Sequence, residues 1–425
     1  MLPRGGALIA ALLVLPTAAQ ARLSPAAERH LDEGIRHLYS LDYEACRGSF
    51  RKIIETEPDN PAGYLFEAGA IWWQAAAEYG LFKGTPTLQG LFEQDVEAAL
   101  RKSKELFDAK DRETRADAYF VSGMALGTKG QWDVLRGRYL QAYFDGKKAV
   151  KHLKKCLKID PGYHDAFLGL GIYDYQAGHL PGALKLSFLL GIRGNVKRGL
   201  ERIQLAAQKG RYGSRQAAQF LASIYIIDQR DFARALPLVQ KLRQDFPDSP
   251  YFQFLDLYLR HRLGDWDGST REAEALFGRL KADPPAMKRK LLSLVCGLTL
   301  DKCLDPELMR RTLPWFEHAL ELAPNDSPDP WLSFLHLARG QIADISGSRE
   351  TALADYRWAL AHPDALGLNA LARDCQRKAC SQASALDFLR ALSRHPASGG
   401  DIIDPVTAPI RTRAAPPEDD SSQDR

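Results

Sequence analysis

The sequence lacks the motifs of most enzymes and membrane-spanning proteins. After its first 21 residues, no stretch approaches the ~20 uninterrupted apolar residues that a membrane-spanning helix requires. No HExxH, P-loop, GxSxG or CxxCH motif is present, and the Gly169-x-Gly171 pair lies in a helical pattern instead of after a strand. The sequence therefore predicts no catalytic residue, metal or cofactor. An enzyme assembled from distant residues is kept as a third hypothesis.

The sequence also lacks a large excess of charge of either sign. The formal net charge is +4, from 57 lysines and arginines against 53 acidic residues. Nucleic-acid-binding proteins concentrate far more positive charge on one face, so we expect no nucleic-acid partner. The 45% hydrophobic and 26% charged content is typical of a folded chain. At 425 residues the chain exceeds the size of one hydrophobic core, and it must divide into domains or stack as an array.

The two ends of the sequence differ from its body. Residues 1–21 contain Arg4, then an apolar run, then a small-x-small site at residues 19–21, which is the order of a secretory signal peptide. An uncleaved anchor is the alternative, but the run is too short to cross ~30 Å of hydrocarbon. Residues 396–425 are rich in Pro, Asp, Ser and Ala, which predicts a disordered tail. We expect an exported, periplasmic protein with a repeat domain at 22–395.

A repeated pattern organises the body. A small residue and a proline recur 24 residues apart in three segments, with a second small residue and two apolar residues at matching positions between them. The tetratricopeptide repeat (TPR) of 34 residues has these anchors. Alternating strand patterns are essentially absent. We therefore predict an all-α, TPR-like α-solenoid of antiparallel helix pairs. The anchors are Gly34, Cys46, Phe50, Ile53 and Pro58; Gly137, Ala149, Leu153, Cys156 and Pro161; and Ser223, Ala235, Val239, Leu242 and Pro247.

Four of the six cysteines form two local pairs, seven and five residues apart. In one continuous helix such partners lie roughly 8–10 Å apart, which exceeds the ~7 Å limit on the Cα separation of a disulfide. An aspartate and a proline predict a turn near Cys303, and this favours a disulfide between Cys296 and Cys303. Nothing between Cys375 and Cys380 predicts a turn, so this pair is the less favoured one.

A central insertion interrupts the repeat between Gly178 and Gly199. Its segment 180–192 is apolar on most faces, with one lysine, which indicates burial or insertion at a membrane interface. We treat this insertion as a candidate functional loop. The candidate functional residues of this loop are Leu180, Pro181, Lys185, Phe188, Gly191, Gly194 and Gly199.

With Leu184, Leu186 and Leu200, these residues resemble the signature segment of a TPR family. That family contains the yeast inclusion-body clearance protein of the mitochondrial outer membrane and its animal relatives. The resemblance implies a non-catalytic scaffold associated with membranes or lipid-linked proteostasis. Where the family tends to have Asp-Arg after the last loop glycine, this chain has Asn195-Val196.

The first helix of each pair lines the concave groove of such a solenoid, where extended peptides or partner helices dock. The alternative is that the same side chains pack against the neighbouring repeat. The predicted groove residues are Leu38, Tyr39, Arg138, Gln141, Leu168, Ile172, Tyr175, Phe220, Ile224 and Asp228.

A row of lysines marks one side of the helix predicted near residues 147–158. A solvated convex surface explains such a row, and so does contact with anionic lipid headgroups. Our first functional hypothesis is a periplasmic scaffold that holds a protein partner during envelope assembly or trafficking. The second is a membrane-surface protein that uses segment 180–192 and the lysines. The row consists of Lys147, Lys151, Lys154, Lys155 and Lys158.

Overall fold

The computed structural model is entirely α-helical wherever it describes regular structure. This confirms the predicted all-α fold. The described residues are 23–78, 86–179, 194–280, 330–362 and 368–381, with short helical pieces at 313–314, 316–317 and 319–321.

Several predictions concern residues outside this described part. They are the signal peptide (1–21), the tail (396–425), the pair Cys296 and Cys303, and the loop residues Leu180, Pro181, Lys185, Phe188 and Gly191.

Consecutive helices pack side by side in pairs, as in a TPR-like solenoid. From one pair to the next, the second helix of a pair contacts the first helix of the pair that follows. The helices are α1 (Pro25–Tyr39), α2 (Tyr43–Thr56), α3 (Pro61–Glu78), α4 (Pro86–Glu105), α5 (Arg112–Leu135), α6 (Tyr139–Ile159), α7 (Ala166–Gly178), α8 (Val196–Lys209), α9 (Ser214–Ile227), α10 (Phe232–Asp245), α11 (Pro250–Arg262), α12 (Trp266–Leu280), α13 (Pro330–Ile345), α14 (Arg349–Ala361) and α15 (Asn369–Arg377).

Short polar side chains begin the helices. Asp42 caps α2 and Asp231 caps α10, each through a carboxylate oxygen that accepts a backbone N–H at 3.1 Å. Asn195 caps α8 in the same way, accepting from the Arg198 N–H at 2.8 Å. The asparagine that departs from the family pattern thus starts the helix that follows the central insertion.

The helices of a pair cross at small residues. A Cβ added at Gly34 would lie 2.2 Å from the ring of Phe50, as the repeat pattern requires for α1 and α2. At the crossing of α7 and α8, a Cβ on Gly171 would lie 2.9 Å from the carbonyl oxygen of Gly199. A Cβ on Gly199 would likewise lie 2.9 Å from the carbonyl oxygen of Gly171. These glycines therefore allow direct backbone contact. Gly171 is a packing residue, in line with its helical pattern.

The repeat pattern predicts that Gly137, like Gly34, lies where the two helices of a pair touch, and for Gly137 this prediction is wrong. Gly137 has a φ of +73° and ends α5, and the following N–H of Arg138 donates to Asp133 O at 2.8 Å. It is a helix-stop glycine with no side chain near its Cβ position. Helix α5 instead contacts α6 through Gly123, where a Cβ would lie 2.7 Å from Leu153.

The less favoured of the two cysteine pairs does form a disulfide, while the pair Cys296 and Cys303 is untested because it lies outside the described residues. Cys375 and Cys380 are bridged, with their Cα atoms 5.1 Å apart. Helix α15 ends at Arg377, and the next residue, Lys378, is extended at φ −136°. The two cysteines therefore do not share a continuous helix. The turn arises without proline or glycine, which is why the local sequence does not signal it.

The solenoid curves until its N-terminal helices contact its middle. The ring of Tyr39, at the end of α1, lies 4.6 Å from that of Phe246 and 4.8 Å from that of Phe252. The Tyr39 hydroxyl donates to Gln219 Oε1 at 3.1 Å, and its carbonyl accepts from Ser249 Oγ at 2.7 Å. About 200 residues of chain therefore close on themselves at one buried tyrosine.

Candidate partner-binding cleft

The predicted groove residues form a core instead of an open groove. Five of them are buried, and two more are half-buried against the same core; these seven are Tyr39, Leu168, Tyr175, Phe220 and Ile224, with Leu38 and Ile172. The closure at Tyr39 covers the inner faces of these helices. They are not available to a partner, and the packing alternative holds for them.

The other three predicted groove residues are exposed but do not lie together in a groove. Arg138 pairs with Asp133 at 2.6 Å and Gln141 donates to Asp145 at 3.0 Å, both near the start of α6. Asp228 accepts from the Tyr175 hydroxyl at 2.9 Å at the end of α9. Because α6 begins at Tyr139, Gln141 lies on the second helix of its pair, with Arg138 just before it. The prediction that both residues lie on the first helix of a pair is therefore wrong.

An open cleft lies beside this closure, between α1 and the segment α8–α10. Its cavity volume is about 750 Å³, within the range of ~300–1,000 Å³ that is usual for binding sites. Apolar side chains form its floor, and charged and amide side chains form its walls. The floor includes Leu31, Ile35, Leu221, Leu238 and Leu242.

A buried carboxylate builds one wall of the cleft. Asp165, just before α7, accepts the backbone N–H groups of three successive residues in the turn between α8 and α9. These are Arg211 and Tyr212, each at 2.9 Å, and Gly213 at 2.7 Å. The turn is thereby held in one conformation, and the side chain of Arg211 reaches Glu28 on α1. The carboxylate acts as an internal anchor for the wall.

The cleft carries charges of both signs. Arg215 pairs with Asp32 across the cleft at 3.2 Å. On α10, Lys241 and Asp245 are exposed one helical turn apart and line the same cleft. Among the described residues these two have no ion-pair partner. They are the groups best placed to contact a bound molecule.

Sequence reasoning missed this cleft because its walls come from segments about 180 residues apart. No local pattern links Glu28 to Arg211. The amphipathic pattern of α10 indicates that Lys241 and Asp245 face outward, but it does not show that α1 lies opposite them.

A buried acid on α4 has an unusual proton affinity. Asp95 is only 9% exposed, and burial raises its pKa from 3.8 to about 7, with a further rise from the nearby Glu67 carboxylate. The native state therefore binds this proton more tightly than the unfolded chain does. Protonation of Asp95 therefore contributes to the stability of the folded state at low pH, and this contribution is lost as pH rises from about 4 to about 7.

We predict that Asp95→Asn stabilises the protein at high pH only. Asparagine cannot ionise, so the variant should exceed the wild type by roughly 1–3 kcal/mol at about pH 8 and equal it near pH 4. We expect less than the roughly 4 kcal/mol that the full pKa shift would imply, because Asp95 is 9% exposed. Urea unfolding at both pH values measures the difference. Glu97→Gln, exposed on the same helix, is the control, and an equal gain in that variant would contradict the assignment to Asp95.

The arrangement most like a catalytic pair is Ser122 with His152. Ser122 Oγ and His152 Nδ1 are 2.9 Å apart, but Ser122 is 2% exposed. Burial, aided by nearby lysines, lowers the pKa of His152. The Ser122 hydroxyl is therefore buried away from solvent, and its hydrogen bond joins α5 to α6. In the described ranges no cluster of His, Cys, Asp and Glu has the geometry to hold a metal ion.

The lysines of the predicted row are all exposed along α6, and one of them, Lys155, donates to the Tyr119 hydroxyl at 2.9 Å. The opposite side of α6 packs against α5 through Ala149, Leu153 and Cys156, which are buried. Across the described helices, none combines the length and apolar character needed to cross a bilayer.

No protein-family model matches the chain, and no curated protein matches it. The resemblance of the central insertion to one TPR family therefore stays a prediction. The helix pairs of the chain itself define its fold as TPR-like.

Solved structures of helical-repeat proteins are similar to the chain at low identity. The human IFIT1 dimer with PPP-AAAA is 14% identical over 92% of this chain and 96% of that one, with a TM-score of 0.37. The P58(IPK) TPR domain is 13% identical over 87% and 99%, with a TM-score of 0.24. Yeast Tom70 is 13% identical over 89% and 92%, with a TM-score of 0.23.

Proposed function

We propose that this protein is a non-catalytic scaffold, exported to the periplasm, that holds an extended segment of a protein partner in the cleft between α1 and α8–α10. The observation that carries the proposal is the cleft itself, with an apolar floor and charged walls on a rigid helical frame. Extended peptides bind such sites through apolar anchors, while rim charges select the partner.

Two features support export. The first is the signal-peptide pattern of residues 1–21. The second is the disulfide between Cys375 and Cys380, since such bonds persist in oxidising compartments and are rare in the cytosol. The process that we propose for the exported protein is envelope assembly or trafficking.

The charges of α10 give the cleft its selectivity in this proposal. Lys241 and Asp245 would contact charges of opposite sign on the partner segment, one helical turn apart. The paired residues Arg211 with Glu28 and Arg215 with Asp32 keep the opposite wall in place. An exchange of the two α10 charges leaves the net charge unchanged and reverses the pattern that a partner meets.

A peptide-display selection on the chain without residues 1–21 tests the proposal. We expect enriched peptides to bind the wild type and to lose about tenfold or more in affinity to a Lys241→Glu/Asp245→Lys variant. Glu97→Lys/Arg101→Glu, an exposed exchange on α4, is the matched control and should bind normally. Failure to enrich any peptide, or equal loss in both variants, would remove the cleft as the binding site.

A further inference from the structure

The outward face of α6 has a composition that packing does not explain. Its buried face carries Asp145, Ala149, Leu153 and Cys156, so the residues on the opposite side point away from the protein. This outward face is about 27 Å long from residue 140 to residue 158. It lies on a different element from those that form the cleft.

Positive charge on this face is uninterrupted. Helix α6 contains six lysines and a single acid, Asp145. Asp145 is buried and engaged by Lys129 of α5, and among the α6 lysines it reaches only Lys148, at 4.0 Å. Lys151, Lys154 and Lys158 are exposed and have no anionic partner in the described part of the chain. The face therefore presents unpaired positive charge to solvent.

The same face begins with exposed apolar side chains. The described residues include four exposed large hydrophobic side chains, and three of these lie in the first six residues of α6. Leu140 is 73% exposed and Phe144 is 54% exposed, and Tyr139 accompanies them. Single exposed apolar residues are ordinary, but a cluster at one end of a basic helix face marks an interaction surface.

We propose that the outward face of α6 binds the surface of a bilayer that carries anionic phospholipids. The lysines lie against the phosphate headgroups, and Leu140 and Phe144 enter the boundary between headgroups and acyl chains. Lysine near an anionic surface and apolar side chains inserted at the interface are the two contributions that hold peripheral helices on membranes. An acidic polymer would satisfy the lysines but would leave the two apolar side chains in water.

Vesicle binding by four proteins tests this proposal. All four lack residues 1–21, so the apolar run of that segment cannot mediate binding. They are the wild type, Lys151→Glu/Lys154→Glu/Lys158→Glu, Leu140→Gln/Phe144→Gln, and the scattered control Lys104→Glu/Lys197→Glu/Lys209→Glu, which has the same net charge as the first triple variant. Every substituted side chain is exposed, and circular dichroism confirms that each protein is folded.

We expect the wild type to float with vesicles of phosphatidylglycerol and phosphatidylcholine in equal parts, and not with phosphatidylcholine alone. Binding should fall with added salt. The α6 lysine variant should bind about 100-fold more weakly and the apolar variant about tenfold more weakly. The scattered control should retain most of the binding.

Three results would overturn the proposal. One is no flotation of the wild type with anionic vesicles. Another is an equal loss in the scattered control and in the α6 lysine variant, which would reduce the effect to net charge. The third is wild-type binding by Leu140→Gln/Phe144→Gln together with full competition by polyglutamate, which would make α6 a site for acidic polymers.

Discussion

Asp165→Ala should destabilise the protein by about 3–5 kcal/mol, because it removes a buried carboxylate that accepts from three backbone N–H groups at once, in hydrogen bonds that are buried or part-buried. Asp165 accepts from Arg211, Tyr212 and Gly213 at 2.7–2.9 Å. The turn between α8 and α9 should then lose its conformation. Urea unfolding at neutral pH measures the loss.

The matched control for Asp165 is Asp160→Ala, five residues earlier. Asp160 Oδ1 accepts one exposed N–H, from Gly162 at 3.0 Å, so its removal should cost no more than about 1 kcal/mol. Peptide binding gives a second readout. Because Asp165 holds the backbone of Arg211 at the wall of the cleft, Asp165→Asn should weaken peptide binding even where it still folds. A loss below about 1 kcal/mol in Asp165→Ala would contradict the anchoring role.

Tyr39→Ala should cost a similar amount, about 3–5 kcal/mol, because it leaves a cavity where the solenoid closes on itself. The Tyr39 ring packs against Trp73 as well as Phe246 and Phe252, in contacts that join α1 to α10 and α11. Without the ring, the polar contacts that still join α1 to the middle of the chain are the Ser249 hydrogen bond to the Tyr39 carbonyl and the exposed pairs at Arg211 and Arg215, of which the exposed pairs contribute little. We expect faster amide hydrogen exchange across residues 25–56 and an early phase in urea unfolding.

Tyr39→Phe separates the ring from its hydroxyl. It keeps the aromatic contacts and loses only the hydrogen bond to Gln219, so it should cost about 1 kcal/mol and leave the exchange of residues 25–56 unchanged. If Tyr39→Phe were as damaging as Tyr39→Ala, the hydrogen bond and not the packing would hold the closure. Unchanged exchange in Tyr39→Ala would show that the closure does not restrain the N-terminal helices.

Glycine shows where sequence reasoning reaches its limit in this fold. Gly34 and Gly137 stand at the same distance from their prolines, and the repeat pattern assigns both to helix crossings. Gly34 is at a crossing, whereas Gly137 ends α5 with a positive φ. The sequence pattern cannot distinguish the two positions, because a close helix crossing and a positive φ both favour a residue without a Cβ. Only the backbone conformation, a positive φ at Gly137, separates them.

The amphipathic period of the chain by itself determined that it folds into paired helices, because the burial of one face per helix is a local property of the sequence. It also determined which residues are apolar enough for the inner faces, such as Phe220 and Ile224. The tertiary structure decided whether those faces line a groove or a core. That outcome depends on the accumulated curvature of many helix pairs, which brings Tyr39 to Phe246 and leaves the cleft beside Lys241.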